Sequence, residues 1–218
     1  MNLVLETIKK RQSIRLYEQK PVSKDIINTI IKAGNLAPSM GEMKLVEEGG
    51  KKRKIVNYQP WRFVVVEDPE FKQKLFQTIE SIRSNFYESM KDTMPDMYER
   101  GMKLSEMMDE PKDLIFYSAP VILYVIGSAQ NSIGCAMACE NIMLAAISLG
   151  LGSCYVNFGA MVTQDPDVVK TLELKDGERI YGPVIFGYPK VNPSEKQVKI
   201  QAELRAKKKE PIIKWVSE

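Results

Sequence analysis

The sequence predicts an α+β sandwich, on three observations. Hydrophobic residues make up 44% of the 218 positions, which is enough for a full core in one domain. Short β-branched runs, above all Val121 to Ile126 behind Pro120, read as buried strands. Longer capped stretches with helical spacing alternate with them, and no internal repeat or low-complexity tract interrupts the order.

In chain order, residues 1–10 read as a short helix with Leu3 and Ile8 among its apolar positions. Arg11 to Arg15, RQSIR, follows. Pro21-Val22-Ser23 opens a helix: Ser23 is the N-cap, Val22 can staple onto Ile27, and Ile26, Ile27, Ile30 and Ile31 form the apolar face. Gly34 is expected to end it. Ala37 to Ser39 form an irregular turn. Residues 40–56 read as an inserted β-hairpin turning at Gly49-Gly50. Its basic tip, Lys51, Lys52, Arg53 and Lys54, is a solvated arm or else a docking surface for an acidic partner.

Asn57 to Trp61 leads into a strand from Arg62 to Glu67, and Asp68-Pro69 caps a helix reaching about Arg83. Residues 84–112 carry Met90, Met94, Met97, Met102, Met107 and Met108 and read as helical but broken by Pro95 and Gly101. Methionine-rich stretches are adaptable apolar surface, so this segment is either core filling or a lid over a flat ligand. Ser132 to Leu149 is apolar almost all round, hence buried or at an interface, with Gly150 as its cap. Ser153 to Phe158 reads as a strand, Asp165-Pro166 as the start of a short helix, and Tyr181 to Tyr188 as the last strand. Residues 190–218 form a basic, proline-punctuated tail ending in Ile212, Ile213, Trp215 and Val216.

Composition also excludes. With 31 basic and 28 acidic residues the net charge of +3 is too even for a nucleic-acid binder. No apolar run approaches the ~20 residues of a membrane helix, and the N-terminus lacks a signal-peptide block, so a cytoplasmic protein is expected. Three cysteines without a CxxC pair argue against a disulfide framework or iron–sulfur cluster. Cys135 and Cys139 read as small buried residues on one helix face. The absence of histidine excludes Ser-His-Asp and Cys-His hydrolases and HExxH zinc proteases. An enzyme of this composition needs another carrier for its chemistry, such as a bound organic cofactor.

Several segments, taken in order, resemble the FMN-dependent nitroreductase family: RQSIR, AGNLAPS, NYQPWRFVVVEDPE, ENIMLAAISLGLGSCYV, GPVIFGYP and KKKEPIIKWV. The resemblance implies a three-layer α-β-α sandwich with a mostly antiparallel central sheet, formed by residues 1–218 as one domain. It further implies an FMN-bound homodimer whose C-terminal arms, residues 190–218 here, wrap the partner. Arg11, Gln12 and Ser13 would meet the phosphate and ribityl end, with Lys207 and Lys209 completing the phosphate site. Arg15 would lie beside N1 and O2 of the flavin and stabilise the charge that reduction brings. Pro38, Ser39 and Met40 would come from the partner subunit; Asn57 and Gln59 would lie nearby, although the hairpin separates Asn57 from Ser39 by more residues than the family usually has. Tyr155, Val156 and Asn157 would pass under the ring and offer N5 a backbone N–H.

The activity so implied is hydride transfer from NADH or NADPH through flavin N5 to a small nitroaromatic or quinone-like oxidant. Two other readings stay open. One is a specialised reductive dehalogenase, recruiting Tyr98, Glu99 and Lys112 from the lid-like segment. The other is a non-catalytic flavin-binding protein. No metal site is expected.

Overall fold

The computed structural model describes residues 2–57, 59–107, 113–204 and 210–216. Four antiparallel strands form the central sheet in the order β3-β4-β6-β5: β3 (Trp61–Val66), β4 (Val121–Ser128), β5 (Gly152–Tyr155) and β6 (Glu178–Gly187). β4, with seven of its eight residues buried, is central, as its unbroken apolar run requires. Because successive side chains point to opposite faces, β4 feeds two cores. Ile122, Tyr124 and Ile126 pack with Leu75, Ile79, Phe116, Val162 and Ile185, while Val121, Leu123 and Val125 pack with Ile27, Ile30, Ala138, Ile142 and Phe186. Helices therefore cover both faces, and the three-layer sandwich is the observed architecture.

On the second face lie α1 (Leu3–Lys10), α2 (Lys24–Asn35) and α5 (Ser132–Ser148). Ser23 caps α2 by accepting from the Ile26 N–H, and Ile27 and Ile30 are its buried residues. Gly34 does not end this helix. It sits inside α2, where a Cβ would stand 2.7 Å from the Ile142 side chain, so glycine permits the close approach of α2 to α5. Gly150 does terminate α5, at φ +78°. The Leu151 N–H bonds the Ala146 carbonyl and the Gly150 N–H that of Ile147, a Schellman closure. Cys135 and Cys139 are buried free thiols on α5.

The first face carries α3 (Pro69–Ser89), α4 (Pro95–Met107), a 3-10 helix (Asn157–Gln164) and α6 (Pro166–Thr171). α3 runs beyond Arg83. Pro95 opens α4 rather than breaking a helix, because proline lacks only an N–H that a first turn leaves unused. Gly101 sits inside α4, where a Cβ would stand 2.3 Å from the Tyr87 ring. Met94, Met97 and Met102 are exposed, and Met108 and Lys112 lie outside the described residues.

Two further differences separate sequence expectation from structure. β5 stops at Tyr155, and Asn157 and Phe158 turn into the 3-10 helix. The Val156 N–H bonds the Pro183 carbonyl at 2.9 Å, closing the ladder there. In the tail, α7 (Glu195–Leu204) is a helix that the proline-punctuated composition hides. The hairpin is present as β1 (Glu42–Glu48) and β2 (Lys51–Asn57), turning through Gly49 and Gly50 at φ +61° and +74°. Its register sets Glu48 opposite Lys51 and Glu47 opposite Lys52. Half of the basic tip thus has an acidic cross-strand partner, which supports the solvated arm.

Candidate active site

The segment from Arg11 to Arg15 lies along the outer edge of β5. Ser13 makes a parallel bridge with Ser153, and the Ile14 N–H bonds the Ser153 carbonyl at 2.9 Å. Gly152 is needed for this seat, since a Cβ there would come within 2.7 Å of the branched Ile14 side chain. The chain then crosses to the end of β6 through bonds from the Glu18 N–H to the Tyr188 carbonyl and from the Lys190 N–H to the Leu16 carbonyl. Tyr17 is buried and donates its hydroxyl to the Ile14 carbonyl. Burial first of all holds its phenol well above the usual range, so it remains a donor. With Ser13 bridged and Ile14 packed inward, Arg15 is directed into a pocket of about 200 Å³.

Arg15 enters from the edge segment, Arg83 and Tyr87 from α3, Tyr117 from the turn before β4, and Tyr155 and Phe158 from the end of β5 and the 3-10 helix. The Arg15 guanidinium lies over the Tyr117 ring, 5.6 Å from its centre. Burial is the main cause that pushes the Tyr117 phenol up to about 12, so it is neutral at physiological pH. Tyr117 and Ser118 both have left-handed backbones, φ +54° and +50°, a conformation that L residues adopt at a cost. Buried Asp113 holds them there: its carboxylate accepts from the N–H groups of Ile115, Phe116 and Ser118 at 3.0, 2.7 and 2.8 Å.

On the opposite side, the 3-10 helix begins at Asn157. Its own bonding starts with the Gly159 N–H to the Val156 carbonyl, so the helix uses neither the Asn157 nor the Phe158 N–H. The site therefore combines a fixed cation, a short run of backbone donors and aromatic walls.

The remaining sequence candidates divide. Ser13 lies within hydrogen-bonding reach of Cys154, whose thiol is raised chiefly by burial. Arg11 sits 3.5 Å from the Glu140 carboxylate of α5, and Gln12 is exposed. Tyr155 is 40% exposed and its hydroxyl accepts from the Gly182 N–H. Pro38, Ser39 and Met40 follow α2 toward the start of α5, and none of them lines the pocket of its own chain. Met40 is 92% exposed. Asn57 closes β2, and Gln59, exposed just beyond it, does not line the pocket. Lys207 and Lys209 lie outside the described residues. Tyr98 and Glu99 of α4 are not among the lining residues.

Sequence reasoning missed Arg83, Tyr87 and Tyr117. The first two had a signal, an i, i+4 pair on one face of α3, with the Arg83 guanidinium 5.3 Å from the Tyr87 ring centre. Tyr117 had none, because its direction depends on the Asp113 turn.

The fold and this pocket define an α+β protein with a cationic, aromatic site beside the sheet edge. Residues 8–188 match the profile of the nitroreductase family, and the chain belongs to that family. A putative NADH dehydrogenase/NAD(P)H nitroreductase of Archaeoglobus fulgidus is 28% identical over 190 residues, 87% of each chain. Iodotyrosine deiodinase 1 of Rattus norvegicus is 30% identical over 154 residues, 67% of this chain and 49% of the rat protein. Among solved structures, a nitroreductase with bound FMN from Bacteroides fragilis is 27% identical with a TM-score of 0.66, covering 100% of both chains. No described helix is long and apolar enough to cross a membrane.

Proposed function

We propose that this chain is an FMN-dependent oxidoreductase, a cytoplasmic homodimer that takes hydride from NADH or NADPH and delivers it to a small nitroaromatic or quinone-like oxidant. The observation that carries the reading is Arg15, set against the Tyr117 ring and lining one pocket with Asn157 and Phe158, whose N–H groups the 3-10 helix leaves unused. That donor set fits the polar edges of a flavin, with a cation for the N1–O2 edge and backbone donors for N5. The Bacteroides relative with bound FMN supports the same cofactor.

FMN, when bound, supplies the hydride-accepting centre. The chain's own residues bind and orient it. Arg15 balances the negative charge that reduction brings to the pyrimidine edge. The donor toward N5 is the Asn157 or Phe158 N–H, because the Val156 N–H is already taken by Pro183. Arg11, Gln12, Ser13, Lys207 and Lys209 hold the phosphate and ribityl end, and Arg11 shares its charge with Glu140. Pro38, Ser39 and Met40 act on the partner's flavin, in keeping with their distance from the pocket of their own chain. At about 200 Å³ the pocket is smaller than the ~300 Å³ from which small-molecule sites usually start, and a second subunit would supply the missing wall.

The test is a visible absorption spectrum of the purified protein, before and after anaerobic NADPH and then NADH. Flavin bands that bleach support the reading. Bands that persist with both donors turn it toward a flavin-binding protein. No bands, even after FMN is added, refute it.

A further inference from the structure

The flavin reading gives Arg15 a task but leaves the second guanidinium in the pocket without one. Arg83 reaches the pocket from α3 with a side chain only 12% exposed. Glu80, one turn earlier, binds its Nε at 2.8 Å and its Nη2 at 2.5 Å. The guanidinium has a further edge, Nη1 with two N–H groups. Among the described residues nothing bonds that edge. Tyr87 flanks Arg83, and Tyr117, which contacts Arg15, lines the same pocket.

Among the described lining residues, Arg15 and Arg83 are the charged ones, and no carboxylate lines the pocket. Tyr87, Tyr117, Tyr155 and Phe158 give it flat aromatic walls and hydroxyl groups. A largely buried cation, already oriented by Glu80, recognises an anionic oxygen at little entropic cost, because the planar fork is fixed before ligand arrives. It repels an ammonium group in the same place.

We propose that Arg83 selects aromatic oxidants carrying an anionic substituent, a carboxylate or phenolate, over neutral or cationic ones. The inference rests on the flavoenzyme reading, since it assigns the substrate class of that same pocket.

The test titrates FMN-loaded protein with benzoate and with benzamide, a neutral probe of the same shape, and follows the perturbation of the oxidised flavin spectrum. Benzoate should bind about tenfold or more tightly than benzamide, as a charge-assisted hydrogen bond implies. Arg83→Gln should erase that preference, and Arg83→Lys should retain part of it. Glu80→Gln keeps an amide oxygen to orient Arg83 but removes the negative charge beside it, and should widen the preference. This last variant decides the matter if Arg83→Gln fails to fold. Equal binding of the two probes by the parent protein, or an unchanged preference in Arg83→Gln or Glu80→Gln, overturns the inference. Flavin bands that bleach with NADPH while benzoate shows no advantage leave the flavoenzyme reading standing. Failure to hold flavin at all overturns both.

Discussion

Arg15 and Glu178 show two ways in which a charged residue contributes. Arg15 lies where the sheet edge, the Asp113 turn and the 3-10 helix meet, and its expected effect is on rate. Arg15→Gln should slow reduction of bound flavin by NADPH about a hundredfold, the scale of one lost charge-stabilising donor. Stopped-flow bleaching measures it, and parent-like kinetics would remove Arg15 from the role. Glu178 contributes to stability: its carboxylate takes a bidentate pair from Arg62 at 3.1 and 2.8 Å and also accepts from the Lys175 N–H. The Arg62 hydrogen bonds, first among the causes, hold its acid below the usual glutamate value. A depressed folded value stabilises the fold above the unfolded one, about pH 4.5, and the contribution is lost as pH falls through the folded value. Both partners are partly exposed, so Glu178→Gln should cost about 1 kcal/mol at neutral pH. Denaturant melts of the two proteins should converge below about pH 4.5. At this scale the sequence reveals residues whose neighbours are local. Arg15 is marked by RQSIR and Ser23 by the helix that follows it. Tyr117 is not marked, because its place depends on two left-handed residues held by a carboxylate four positions earlier.

Among the elements, glycine separates those set by local chemistry from those set by packing. Gly49-Gly50 and Gly150 stand at positive φ, and each is legible as a turn or cap from the sequence. Gly34 has the same look at the end of an amphipathic helix, yet its reason is contact with Ile142 on another helix. No local pattern carries that. Gly34→Ala would force a Cβ to within 2.7 Å of a side chain that is itself fully buried. It should cost roughly 1–3 kcal/mol by overpacking. Chemical denaturation of the FMN-saturated proteins checks this, and a stabilised alanine variant would show that α5 can yield. The same distinction explains β5. Its apolar run suggests a longer strand, but the Pro183 carbonyl claims the Val156 N–H and the chain turns away. That turn leaves the next two N–H groups uncommitted.

For the molecule as a whole, the layers follow from alternation on β4; the residue pattern predicts an α+β sandwich, and the family resemblance its three layers. What the sequence could indicate only by resemblance is how the outer surfaces are used. Ile212 and Trp215 are 103% and 85% exposed, and Leu3 and Val4 of α1 and Ile133 of α5 are exposed as well. Apolar surface of this kind fits burial against a second copy. Deleting residues 210–218 should shift the protein from dimer toward monomer in sedimentation velocity and lower its FMN content. A monomeric parent protein would remove the basis of that reading. The one-bridge seat of Ser13 on Ser153 has a consequence for handling the protein. It is the cover over the outer backbone of β5, and an uncovered strand edge recruits strands from other molecules. Whatever loosens residues 11–15 should therefore appear first as turbidity on concentration or refolding. The yield of clear protein then reports how firmly that segment is held.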